Sequence, residues 1–168
     1  MIYRLLYFDK IYLYANTLQQ SNYQHLIDLF EPISEEAGYP IIEASNDKII
    51  PLDKMPCDNQ KLVIFDEDLD TGANDSEIRN CFTNSRNKNC SFIYLSQSFH
   101  ATDKTIRLQV NCTHHCIFEF PSSNEHNWIC RELGINKNDS QRPTQEPYDF
   151  IYVDKPKKRV AKNFNENI

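Results

Sequence analysis

Lys61-Leu-Val-Ile-Phe-Asp66-Glu67 and Ser91-Phe-Ile-Tyr-Leu-Ser-Gln97 decide how this chain is read. Each is a short apolar run rich in β-branched and aromatic residues, the pattern of a buried strand. The first ends in two acids and the second in a lone amide. Open parallel sheets bind their ligands just outside the carboxyl ends of their strands. These polar ends therefore stand where a ligand would be met.

Working outward, the elements alternate as in an α/β domain. Residues 1–8 read as the end of a helix and Lys10-Ile-Tyr-Leu-Tyr14 as a short buried strand. Ser21-Asn-Tyr-Gln24 matches a capping box that opens a helix. Its apolar positions Tyr23, Leu26, Ile27, Phe30 and Ile33 recur at helical spacing, and Gly38 with Pro40 closes it. Ile41-Ile42 and Ile49-Ile50 are short extended pieces, and Pro51 and Pro56 mark a loop. Beyond the Asp66 strand, Asp68 to Asn74 predict a polar turn. A helix follows with Ile78, Cys81 and Phe82 on one face, ending near residues 87–89. Asn111 to Phe120 predict a strand. Ser122-Ser-Asn-Glu125 predicts a second capped helix running through Trp128, Ile129 and Leu133 to Gly134. Residues 136–145 are a polar connector, and Tyr148 to Val153 a last strand. The expected organisation is one domain over 1–154, then a polar, partly basic tail over 155–168.

Composition narrows the class. The 168 residues are 40 % hydrophobic and 25 % charged, as in globular proteins. A net charge of −6 disfavours broad, non-specific attraction to DNA or acidic membranes. Arg4, Asp9 and Lys10 interrupt the opening stretch, so it does not read as a signal peptide. No apolar run approaches the roughly 18 residues of a membrane span. The six cysteines (57, 81, 90, 112, 116 and 130) lie among apolar neighbours and read as reduced thiols. Four N-x-[ST] sequences begin at Asn74, Asn89, Asn111 and Asn138, and they carry no meaning in an intracellular protein. Intracellular placement is the expectation.

Apolar residues running into Asp66-Glu67 form the Walker B pattern of nucleotide-hydrolysing α/β proteins. In that chemistry Asp66 would hold Mg²⁺, a hard cation that prefers oxygen ligands. Glu67 would orient and deprotonate an attacking water, a role worth about 10²–10⁴-fold. Gln97 would contact the γ-phosphate or that water without adding charge. Against this stands the plain reading of a strand followed by an acidic loop, since Asp68 and Asp70 continue the run. The phosphate cradle is missing from these residues. The three glycines are Gly38, Gly72 and Gly134, none precedes a Lys, and no G-x-x-x-x-G-K-[ST] loop can be written.

Two further groups were weighed. Arg86 is placed to serve as an arginine finger, worth about 10³–10⁵ where one operates. A solvated helix end carrying Arg79, Arg86 and Lys88 is the blander alternative. Cys112-Thr-His114-His115-Cys116, with His126 and Cys130, invites zinc. As a strand, however, Cys112, His114, Cys116, Phe118 and Phe120 share one largely apolar face, unlike the tight pairs of structural zinc sites. Lys155-Pro-Lys-Lys-Arg159 reads as a solvated basic segment, with nuclear import or phosphate contact as the alternative.

Longer stretches carry a resemblance. Tyr7-Phe-Asp-Lys-Ile-Tyr-Leu-Tyr-Ala15, with Asn22-Tyr-Gln24 and residues 26–30, resembles the segment after the Walker A helix in one family. That family is the FtsK/HerA-type genome-packaging ATPases of double-stranded DNA viruses, virophages and Maverick/Polinton elements. The block from Phe82-Thr-Asn-Ser-Arg86 through Ser91-Phe-Ile-Tyr-Leu-Ser-Gln97 to Lys104-Thr-Ile-Arg107 is similar to its Phe-Thr-Arg-Gly-Arg-His stretch, sensor strand and Thr-Ile-Arg segment. The resemblance implies a P-loop NTPase of RecA-like fold, a parallel sheet flanked by helices, lacking here the P-loop strand and most of its helix. It implies ATP and Mg²⁺ as cofactors, with Asp66 as the Walker B aspartate, Glu67 as catalytic acid, Gln97 as sensor and Arg86 as finger. It implies a homo-oligomeric ring, double-stranded DNA and capsid proteins as partners, no membrane, and residence in host cytoplasm or nucleus or with the virion. Asn84 departs from the pattern, standing where the first arginine is expected. The alternative is a non-catalytic relic, a binding or oligomerisation module that keeps the P-loop NTPase-like fold.

Overall fold

The structure, a computed structural model, describes residues 8–66, 71–85, 88–99, 106, 112–118, 122–136, 148–164 and 166–167. The chain divides into two compact units, Met1–Thr102 and Asp103–Ile168. This division falls inside the span expected to form one domain.

The first unit is α/β, with a four-stranded, wholly parallel sheet. Its elements are β1 (Lys10–Tyr14), α1 (Ser21–Ala37), β2 (Ile42–Ser45), β3 (Lys61–Asp66), α2 (Thr71–Asn84) and β4 (Cys90–Leu95). The strand order is β2-β1-β3-β4. Register places Tyr14 opposite Phe65 and Asp66 opposite Leu95, so the strands end together at one edge.

Period-two alternation then separates two faces of this sheet. Lys61, Val63 and Phe65 share one face and are buried, whereas Leu62, Ile64 and Asp66 share the other and are half-buried. The first face carries α2. Phe82 of that helix packs on Phe65 and Phe92, with ring centroids 6.4 and 5.7 Å away. Ile78 and Cys81 are buried with it, as the helical spacing predicts. The thiol of Cys81 is pushed up to about 12 by burial, and it acts as an apolar core group. Helix α2 already begins at Thr71, so part of the predicted turn is helical. Small and polar residues are tolerated in a first turn, where amide donors need no intrahelical partner.

On α1 no residue is fully buried, and Ile33 is 50 % exposed although it continues the apolar series. The helix ends at Gly38, whose φ of 76° takes the left-handed conformation. Its N–H donates to the carbonyls of Ser34 and Glu35. The expected capping box does not form: Gln20 occupies the cap position, and no side chain accepts there. Ile49 and Ile50 stay outside the strands, and Leu52–Lys54 make one 3-10 turn.

The second unit holds an antiparallel sheet in the order β5-β6-β7-β8 and helix α3 (Ser123–Leu133). Its strands are β5 (His114–Ile117), β6 (Ile151–Asp154), β7 (Arg159–Lys162) and β8 (Glu166–Asn167). The capping box opening α3 forms as predicted, with Ser122 Oγ accepting the Glu125 N–H at 3.2 Å. Two expectations change here. The Tyr148–Val153 strand pairs antiparallel within this second sheet rather than extending the parallel one. Residues 155–168 are not a bare tail, because they supply the strands β7 and β8. The basic run is a hairpin turn. Pro156 presets the backbone of its second position, Lys158 N–H donates to Lys155 O, and Asp154 Oδ1 accepts the Lys157 N–H.

Candidate functional site

Parallel pairing brings the carboxyl ends of β3 and β4 side by side, with Asp66 ending one strand and Gln97 two residues beyond the end of the other. Asp66 is half-buried on the face that also carries Leu62 and Ile64. Gln97 is exposed, in a bend. The structure thus brings two sequence-predicted residues to one sheet edge. Glu67 and Arg86 lie outside the described residues. Asn84, at the end of α2, donates through Nδ2 to Asn80 Oδ1 at 2.7 Å, a contact within its own helix.

One residue of this edge was missed. Tyr23 in the first turns of α1 donates its hydroxyl to Asp66 Oδ2. The spacing counted Tyr23 among the apolar positions of the helix. The available signal was topological: a helix that follows a parallel strand starts at the carboxyl edge, so a tyrosine in its first turn carries a hydroxyl there.

A divalent cation can be tested against these groups. Asp66 Oδ1 accepts no hydrogen bond among the described residues, and so offers one carboxylate oxygen. Among those residues no three His, Cys, Asp or Glu side chains converge on a point that could hold a metal. A single carboxylate suits Mg²⁺, which keeps several waters and takes one or two carboxylates beside substrate phosphates. The nucleotide fits less well. Phosphate binding at such an edge relies on a glycine-rich backbone cradle and a lysine, and the sequence contains neither in the required pattern. No hydrolytic step is therefore derived from these residues.

The Cys/His segment makes a different arrangement. Cys112 Sγ lies 3.7 Å from His115 Nε2. His114 Nδ1 is 2.7 Å from Thr113 Oγ1, and its Nε2 is 3.8 Å from the buried Asp154. Burial first, then the charge of Lys155 and the neighbouring His114, hold the His115 imidazole down to about 4. Burial raises the Cys112 thiol, so the pair lacks the lowered thiol of an activated nucleophile. The predicted apolar face here is open: His114 and Cys116 are exposed, and Phe118 is 55 % exposed. All six cysteines are free thiols.

Among the described residues, no helix is long and apolar enough to cross a membrane. No family model, curated protein or solved structure matches this chain.

Proposed function

We propose that this chain is the Walker B and sensor part of a RecA-like packaging ATPase, a motor that couples ATP hydrolysis to movement of double-stranded DNA into capsids. The observation that carries the reading is the placement of Asp66 and Gln97 at the carboxyl edge of adjacent parallel strands. The resemblance of residues 82–107 to the FtsK/HerA-type family supplies the rest. In this reading Asp66 holds Mg²⁺, Glu67 positions water, Gln97 senses the γ-phosphate and Arg86 reaches a neighbouring subunit of a ring. The phosphate-binding loop is supplied from outside these 168 residues. Ile93 and Leu95, each 42 % exposed on the Asp66 face of β4, offer an apolar surface for the helix that follows such a loop.

A phosphate cradle contributes most of the grip on ATP. The purified chain is accordingly expected to bind ATP·Mg weakly or not at all, and submicromolar affinity by calorimetry would contradict that. The deciding experiment sequences the native transcript upstream of the Met1 codon. An in-frame G-x-x-x-x-G-K-[ST] segment there supports the motor reading, and Glu67→Gln in that longer protein should then abolish hydrolysis. A stop codon there sinks it.

The lack of a cradle in the sequence also favours a second reading, a non-catalytic binding or oligomerisation module on the same fold. Under it Glu67→Gln leaves every measurable property of the protein unchanged.

A further inference from the structure

We propose that Tyr23 is the positioning residue of a divalent-cation site at Asp66, holding one carboxylate oxygen so that the other meets the metal. The inference rests on the reading of β3 given above. A terminal carboxylate rotates within a broad torsional well and can present either oxygen. Here the Tyr23 hydroxyl donates to Oδ2, a charge-assisted bond about twice as strong as a neutral one. That bond leaves Oδ1 as the oxygen open to a ligand. Packing alone does not require the hydroxyl, since a phenylalanine fills the same half-buried place on α1. The bond also ties two elements that flank the carboxyl edge, the start of α1 and the end of β3.

Carboxylates that ligate metals are themselves held by hydrogen bonds from outer groups. Loss of such a partner typically lowers metal affinity about 10–100-fold. Tyr23 has this geometry toward Asp66, and the single free oxygen matches the one-carboxylate coordination common for Mg²⁺.

The test is Mn²⁺ binding to the purified full chain, followed by electron paramagnetic resonance. Wild type, Tyr23→Phe, Asp66→Asn and the double variant are compared. Asp66→Asn should remove the site, Tyr23→Phe should weaken it about 10–100-fold, and the double variant should behave as Asp66→Asn. Circular dichroism checks that each variant is folded. If Asp66→Asn removes binding while Tyr23→Phe equals or exceeds wild type, the role of Tyr23 is overturned and the cation site stands. Binding that is absent, or indifferent to Asp66→Asn, overturns both. A second readout needs no variant to fold. With ¹³C-labelled tyrosine, saturating Mg²⁺ should shift the Tyr23 ring resonances, and an unmoved signal overturns the proposal.

Discussion

Tyr14 and Phe65 stack across the β1–β3 pair, with ring centroids 5.7 Å apart and planes 15° from parallel. They are register partners, and both are almost fully buried. Phe92 continues the stack at 6.3 Å from Phe65, and Phe82 of α2 lies against both rings. Phe65 is thus the centre of the aromatic layer beneath the strand that delivers Asp66. Phe65→Ala should lower stability by about 3–5 kcal/mol, the usual cost of removing a buried ring. Equilibrium urea unfolding checks this, and a loss under about 1 kcal/mol would mean the layer is not packed as described.

The two capping boxes give opposite predictions. Ser122 Oγ accepts the Glu125 N–H, so Ser122→Ala should cost about 1 kcal/mol. Ser21 makes no cap, because Gln20 takes that position, so Ser21→Ala should lie within about 0.5 kcal/mol of wild type. Paired thermal melts of the two variants check the asymmetry. Equal losses would refute the assignment of Gln20 as cap.

Those two boxes also show how far the residues themselves reveal the structure. The strands of the parallel sheet were legible because each is a short apolar run with turn residues around it. Ile78, Cys81 and Phe82 were legible because a helical period projects them onto one face. The second sheet was not. Val160 and Ala161 are too short a run to announce a strand, and the hairpin depends on Pro156 and on Asp154 accepting from Lys157 N–H. That is turn chemistry rather than hydrophobic pattern. At the candidate site, Asp66 and Gln97 were found from their places at strand ends. Tyr23 was not, because its partnership with Asp66 spans 43 positions and is set by the docking of α1.

His115 predicts an acid-side loss of stability. Its imidazole is held down to about 4 from 6.5, chiefly by burial. The unfolded chain therefore binds the proton first, and stability rises with pH wherever the unfolded state carries more protons. The contribution of neutral His115 is fully present above about pH 6.5 and is lost as pH falls toward 4. Urea midpoints measured between pH 7 and pH 4 should fall, and His115→Gln should flatten that part of the dependence. An identical slope in the variant would place the titrating group elsewhere.

Lys61 is 1 % exposed at the start of β3, on the face that carries α2. Its ammonium donates to the Asn59 carbonyl. Taking an ammonium out of water is expensive, and one carbonyl is a modest return. An apolar side chain of similar length keeps the packing without that cost. Lys61→Met should therefore match or exceed wild type in stability, by up to about 1–2 kcal/mol. A clear destabilisation in urea would show that the ammonium is held by more than the Asn59 carbonyl.

The exposed apolar pair on β4 predicts behaviour in solution. Ile93 and Leu95 alternate onto the face of Asp66, and each keeps 42 % of its surface in water. Residues this exposed contribute little to folding, so Ile93→Thr with Leu95→Thr should change stability by less than about 1 kcal/mol. Their effect on association should be larger. β4 ends the row of four strands, and apolar side chains on an edge strand favour contact with another chain. The threonines keep strand propensity while removing apolar area. Sedimentation velocity across a concentration series should show less self-association in the double variant than in wild type. If wild type stays monomeric at every concentration, these two side chains are not a sticky surface, and the face they share with Asp66 needs no cover.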